Sequence, residues 1–304
     1  MNKKPTVTIG IPAHNEEANI ANMLNSVISQ EQKSFFLEKI IVALDGCTDN
    51  TESEAREFAK KYPIVELIDD GKRVGKRERL NQIYDLNQSN FIFTFDADIV
   101  LANGFVVEEM IKVFLNDEKA CLVAADQIPV MTGNFIGKII YYHHVLWDKV
   151  RMTVNEGDHI HNLHGGASGL RKELADSFRY PKEITSDAGF LYIMAYKQFG
   201  FRYAKAAVIF YRTPATLDDI RKQSARAIFS RQKELADYFG NWIYDLFEIP
   251  LKYKMKGVLM AAAEHPIFTL LTICLGVLIR IRPKEDRLIQ KGMWHAASTT
   301  KIKL

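Results

Sequence analysis

The chain has 304 residues, 47% hydrophobic and 25% charged, which supplies a sizeable core and shows no bias toward disorder. Its net charge of +3 conceals a split: residues 1–199 hold 22 Lys/Arg against 28 Asp/Glu, and residues 200–304 hold 18 against 9. The basic part suits an anionic lipid surface or a diphosphate ligand, and its lack of interleaved aromatic residues argues against nucleic acid as a partner. The three cysteines, Cys47, Cys121 and Cys274, have no metal-like spacing and fit a reducing compartment. Residues 1–5 contain no apolar stretch of the signal-peptide kind, so the expectation is cytoplasmic chemistry.

In chain order, residues 6–11 form a β-branched run that predicts a strand, broken by Pro12-Ala13-His14-Asn15. Asn15 is placed to cap a helix with Glu16 and Glu17 in its first turn and Ile20, Met23, Leu24 and Val27 on one face. Residues 39–44 predict a second strand, ended by Asp45-Gly46-Cys47-Thr48-Asp49 and followed by a helix carrying Ala55, Phe58 and Ala59. A third strand at 65–68, a loop at 71–76 and a helix over 77–87 lead to the apolar run 91–95 and then Asp96-Ala97-Asp98. Strand and helix alternating through short loops is the pattern of an α/β fold with a mostly parallel sheet. No Gly-x-Gly-x-x-Gly follows the first strand, which disfavours a nicotinamide cofactor.

Beyond residue 104 the alternation loosens. A helix near 105–115 and a strand near 121–128 precede the segment 134–150, rich in Ile, Tyr and His and left without an assigned element. Residues 165–169 (Gly-Gly-Ala-Ser-Gly) read as a small-residue loop, 186–199 as a helix, 202–211 as a strand and 217–238 as a long basic helix. His143, His144, His159, His161 and His164 lie in or beside Gly-flanked stretches, which favours polar lining or structural roles over a zinc site.

Two carboxylates at the carboxyl end of a buried strand project where an open α/β sheet places its ligands, and a divalent cation with oxygen preference relieves their repulsion. Asp45, at the end of the second strand, reaches the same crevice. Residues 7–17 (Val-Thr-Ile-Gly-Ile-Pro-Ala-His-Asn-Glu-Glu), Asp45-Gly46-Cys47-Thr48-Asp49, Gly75-Lys76 with Leu80-Asn81, and Asp96-Ala97-Asp98 together resemble the opening half of the family 2 glycosyltransferases of the GT-A fold. Thr185-Ser186-Asp187 is similar to that family's Thr-Glu-Asp element, with Ser where Glu is usual. Residues 223–227 (Gln-Ser-Ala-Arg-Ala) are similar to the Gln-x-x-Arg-Trp element of its processive polysaccharide synthases, with Ala227 where Trp is usual, which counts against processive synthesis.

The resemblance implies a GT-A domain over 1–235, divided into a nucleotide-binding half (1–100) and an acceptor-binding half (101–235), with a membrane-associating region over 236–304. It implies an inverting glycosyltransferase that moves a sugar from a nucleotide-sugar, with UDP the expected nucleotide, to a hydroxyl of a glycan or lipid-linked acceptor. Asp98 and Asp96 would hold Mg²⁺ or Mn²⁺, with Asp96 open to ribose as well. Pro12, Ala13, Asn15, Glu17, Asp45, Lys76, Gln223 and Arg226 would form the donor site, with Lys76 on the diphosphate. Gly166, Ser168, Gly169 and Thr185 would face the acceptor, and Asp187 would be the general base that direct inversion requires.

Residues 257–279 are almost wholly apolar, yet Glu264-His265-Pro266 interrupts them and basic residues flank both sides. Their uninterrupted part, 267–279, is too short for a bilayer core of ~30 Å. A kinked or re-entrant helical hairpin, or helices lying on the cytoplasmic face of the membrane, is the expectation. Two rivals stand beside the transferase. A nucleotidyltransferase would carry a Gly-rich basic loop after the first strand, and a non-catalytic membrane scaffold would have no use for Asp45, Asp96, Asp98 and Asp187.

Overall fold

A computed structural model of the chain describes residues 4–131, 133–198, 200–225 and 231–281. The chain forms two compact units, one comprising residues up to 128 together with 163–211, the other residues 129–162 together with the described part of 212–300. Residues 129–162 and 212–225 thus fall in the same unit as the C-terminal helices.

The first unit is built on an eight-stranded sheet in the order β3-β2-β1-β4-β7-β6-β8-β5. β1 (Thr6–Ala13) lies between β2 (Phe36–Leu44) and β4 (Phe91–Phe95), parallel to both, and β3 (Val65–Ile68) extends the parallel half beyond β2. β1, β4 and the second half of β2 are buried on both faces, which is why their sequences read as continuous apolar runs rather than alternating ones. The crossovers are α1 (Ile20–Ile28), α2 (Thr51–Lys61) and α3 (Lys76–Asp85).

β5 (Ile99–Leu101) and α4 (Val106–Asn116) follow the acidic pair. β6 (Leu122–Val130) and β7 (Ala167–Arg171) complete the middle of the sheet, with β7 antiparallel to both β4 and β6. α6 (Lys172–Asp176), α7 (Asp187–Gln198) and β8 (Phe201–Arg212) close the unit, β8 pairing antiparallel with β5. One apolar core runs through the sheet and its helices, from Val7, Ile9 and Ile11 through Phe93 and Phe95 to Met110, Phe114 and Ile209.

Two expectations change here. Asn15 does not cap the first helix: it takes a left-handed conformation (φ 52°), and the helix starts at Ile20 after a turn closed by the Glu16 carbonyl. Residues 167–169 are not loop but strand β7, held by pairing with Thr94 and Phe93 of β4 on one side and Ala124 and Val123 of β6 on the other.

The second unit is helical. α5 (Phe135–Arg151) occupies the segment that carried no assigned element, and its N-cap Asn134 accepts a bond from the Gly137 N–H. α8 (Leu217–Ala225), α9 (Arg231–Phe239), α10 (Tyr244–Phe247), α11 (Leu251–Glu264) and α12 (Pro266–Ile281) follow. α11 and α12 both pack on α5. The Gly257–Val150 contact is so close that a Cβ on Gly257 would lie 2.5 Å from the Val150 Cα. No helix among the described residues is long and apolar enough to cross a membrane.

Candidate active site

The carboxyl ends of β1, β2 and β4 share one rim of the sheet, and the loops leaving them interlock. Asn15 accepts from the Thr48 N–H (2.8 Å). The Glu17 carboxylate accepts from the Asn50 N–H (3.0 Å), and the Glu17 N–H donates to Asp49 (3.2 Å). Pro12 and Ala13 are buried strand residues paired with Ala43 and Leu44, so their part is to shape the rim through the backbone.

Asp45 is 4% exposed and fully engaged. Its carboxylate accepts from the N–H groups of Val74 (2.7 Å) and Gly75 (2.9 Å) and from the guanidinium of buried Arg79 (3.4 Å), which also pairs with Asp70 (2.6 Å). Asp45 therefore pins the 71–75 loop. Gly46 (φ 59°) completes the clamp, since a Cβ there would meet the Arg73 nitrogen at 2.8 Å. Arg79 escaped the sequence reading because in a run of charged residues a buried guanidinium looks like its solvated neighbours.

Lys76, the first residue of α3, reaches the end of β4. Its Nζ lies 2.6 Å from Asp96 and 3.1 Å from Asp187, and donates to the Gly165 carbonyl at 3.2 Å. Burial opposes the ammonium charge, but Asp187 and Asp96 more than offset it and hold the amine well above its ordinary range. Burial also pushes the Asp96 carboxyl up to about 6; Lys76 pulls it down and neighbouring Asp98 pushes it further up. Asp98 is half-buried.

Asp187 opens α7, with Ser186 accepting the Gly189 N–H as the helix cap. Asp187 arrives beside Lys76 because α3 holds the preceding chain. Asn81 donates to the Tyr180 carbonyl (3.1 Å) and accepts its N–H (2.8 Å), while Arg77 donates to the carbonyls of Pro181 and Lys182 (3.2 and 3.3 Å). Beneath these contacts Tyr84 is buried, and burial pushes its hydroxyl up to about 12. Arg77 and Tyr84 gave no sequence signal, whereas Asn81 stood in the quoted motif without a role.

Of the residues expected to face the acceptor, Gly166 lies at the site, its carbonyl accepting from the Asp96 N–H (2.9 Å), with Gly165 beside it. A Cβ on Gly165 would meet the Asp187 carboxylate at 3.1 Å, and Gly166 abuts the Gln127 side chain. Thr185 is half-buried just before α7. Ser168 and Gly169 lie in the sheet interior instead: Ser168 bonds to the Thr94 hydroxyl at 2.9 Å, and the Phe93 ring occupies the space of a Gly169 side chain. Gln223 belongs to α8 of the second unit, and Arg226, with Ala227, lies outside the described residues. The histidines of the second unit have structural surroundings. His161 bonds to the Phe247 carbonyl (2.9 Å) and stacks on His159, and burial pushes His144 down to about 3.

Among the described residues no three His, Cys, Asp or Glu side chains form a protein-only metal cage. The donor set nonetheless fits a hard cation completed by phosphate oxygens, which needs only one or two carboxylates from the protein. Asp98 and Asp96 are the carboxylates that would supply them, and Lys76 already places positive charge among these acids.

The model of Glycosyl transferase family 2 matches residues 8–178. A probable glycosyltransferase, YdaM of Bacillus subtilis, is 32% identical over 125 residues, which are 40% of this chain and 29% of that protein. A beta-monoglucosyldiacylglycerol synthase of Nostoc is 27% identical over 177 residues, 57% of this chain and 37% of that protein. These alignments thus span well under half the length of either relative. Among solved structures, a mannosyltransferase of Pyrobaculum calidifontis in complex with GDP-Man and Mn²⁺ superposes with a TM-score of 0.61 at 17% identity, covering 93% of this chain and 77% of that one. Glucosyl-3-phosphoglycerate synthase of Mycobacterium tuberculosis, in complex with Mn²⁺, UDP and glucosyl-3-phosphoglycerate, superposes with a TM-score of 0.53 at 17% identity, covering 78% of this chain and 80% of that one. At such identity the likeness speaks for the fold, and the sequence match settles the family: the chain belongs to Glycosyl transferase family 2.

Proposed function

We propose that the protein is an inverting glycosyltransferase that moves a sugar from a nucleotide-sugar to a hydroxyl of a lipid-linked or polysaccharide acceptor at the cytoplasmic face of a membrane. The observation that carries this reading is the meeting of Lys76 with both Asp96, 2.6 Å away at the end of β4, and Asp187, 3.1 Å away at the start of α7. A donor-side acid and a base candidate ninety residues on thus share one ammonium.

The rim formed by Asn15, Glu17 and the Asp45-pinned loop is where the nucleoside would sit, with acceptors for its N–H and hydroxyl groups. Asp98 and Asp96 would hold Mg²⁺ or Mn²⁺, which stabilises the charge that builds on the leaving diphosphate. An entering diphosphate also competes for Lys76, and a carboxylate relieved of an ammonium neighbour accepts a proton more readily. Asp187 then takes the proton of the acceptor hydroxyl as its oxygen attacks the anomeric carbon. The bond from that carbon to the phosphate oxygen breaks on the opposite side, and the nucleoside diphosphate leaves with its electron pair. The solved structures named with GDP-Man and with UDP make GDP- and UDP-sugars the donors to try.

The test is transfer or hydrolysis of UDP- and GDP-sugars with Mn²⁺. Asp187→Asn is expected to lower turnover by about 10²–10⁴-fold with donor binding changed only a few-fold, as removal of a general base should. Turnover untouched in Asp187→Asn overturns the base assignment.

A further inference from the structure

α12 is amphipathic with its polarity reversed. The face turned to the unit interior carries Thr269, Thr272, Leu275 and Gly276, with Thr269 and Thr272 only 6% and 1% exposed. The opposite face carries Ile267 (73% exposed), Leu270 (64%), Ile273, Val277 and Leu278. The Thr272 hydroxyl is satisfied inside the helix by the Thr269 carbonyl (2.9 Å), so burying it costs little. A helix bathed in water selects the opposite arrangement, with aliphatics inward and threonines outward. α11 adds Leu251, Met255, Leu259 and Met260 to the exposed apolar surface, and its outward face also carries Lys252 and Lys256, one turn apart.

We propose that the outward faces of α11 and α12 are a docking surface for an anionic lipid bilayer, on which both helices lie in the plane of the interface. The proposal rests on the membrane-surface location given above and narrows it to particular residues and to one lipid chemistry. Three observations favour this occupant. α12 has 16 residues, ~24 Å of helix, short of the ~30 Å of a bilayer core, and Pro266 separates it from α11. In-plane insertion needs only one apolar face, which α12 has.

The charge on this surface complements acidic head groups. Lys252 and Lys256 are exposed on it, and the one acid of the two helices, Glu264, is already paired with Lys149 at 2.7 Å. A second copy of the same face would set lysines against lysines, which argues against self-association. Finally, Trp242 and Tyr244, 39% and 43% exposed just upstream, are side chains suited to the boundary between head groups and acyl chains.

Flotation of the full chain with vesicles tests this. The vesicles are phosphatidylcholine alone or phosphatidylcholine with about a third phosphatidylglycerol, and the variants are Ile267→Gln/Leu270→Gln/Val277→Gln and Lys252→Gln/Lys256→Gln. The wild type is expected to float with the anionic vesicles. The triple variant should bind at least about tenfold less, from lost apolar insertion. The lysine variant should lose about tenfold on anionic vesicles and little on neutral ones. Both change exposed side chains, so unaltered melting curves verify that they fold. A wild type that ignores both vesicles, a triple variant that binds as well as the wild type, or a wild-type dimer by light scattering that the triple variant makes monomeric overturns the proposal. Calorimetry of UDP and GDP binding with Mn²⁺ on the same preparations separates the two readings. Nucleotide binding without flotation sinks the docking surface alone, and flotation without nucleotide binding sinks the transferase alone.

Discussion

Lys76, Asp96 and Asp187 set the electrostatics of the candidate site, and single substitutions there have signed consequences. Asp96, raised to about 6, keeps its proton in the fold at a pH where an ordinary carboxyl has lost it. Its own contribution to stability therefore falls as pH rises from about 4 to about 6. Replacing Lys76 by Met removes the cation that draws this carboxyl down, so its titration midpoint, followed by carbon NMR of the metal-free protein, should move above 6. A midpoint that stays or falls contradicts the ion pair. Asp45 is the structural counterpart. Asp45→Ala leaves the Val74 and Gly75 N–H groups without their acceptor and Arg79 with one carboxylate fewer, which should cost about 2–4 kcal/mol in urea unfolding. That role was not legible in the sequence, where a strand-end aspartate reads equally as a ligand contact.

Elements were legible where one periodicity dominated. The apolar runs that became β1, β2 and β4 stood out because both of their faces are buried. α5 did not, because residues 141–149 are all half-buried, and a helix in that state has no polar face to set a period. β7 was hidden for another reason: Ala-Ser-Gly-Leu-Arg has weak strand propensity, and pairing with β4 and β6 decides its conformation. The motif spacing brought the right acids together yet gave no account of how. The answer is α3, whose Asn81 and Arg77 hold residues 180–182 and so deliver Asp187. Asn81→Leu strands the Tyr180 N–H and C=O, costing about 1–3 kcal/mol, and should lower kcat more than it raises the donor KM. Equal changes in both would place Asn81 in donor binding instead. In the helical unit, Gly257→Ala forces α11 away from Val150 and should destabilise by about 1–3 kcal/mol in thermal melts.

At the scale of the whole molecule, the two units present different charged features. The acid-rich first unit carries the strand-end carboxylates of a family 2 glycosyltransferase, and the lysines of α11 lie among exposed aliphatics in the second. The family resemblance read from the first hundred residues holds, and the family match extends through β7 to residue 178. For the C-terminal helices the sequence allows a kinked or re-entrant hairpin or helices lying on the membrane face, and the inside-out polarity of α12 emerges only from burial. The claim on which the rest depends is that Asp96-Ala97-Asp98 forms a cation-assisted diphosphate site. Calorimetric titration of UDP and GDP into the protein, with and without Mn²⁺, tests it most directly. Binding of one nucleotide should require Mn²⁺, weaken at least about tenfold in Asp98→Ala, and persist in Asp187→Asn. Affinity that is indifferent to Mn²⁺ and unchanged in Asp98→Ala would contradict it.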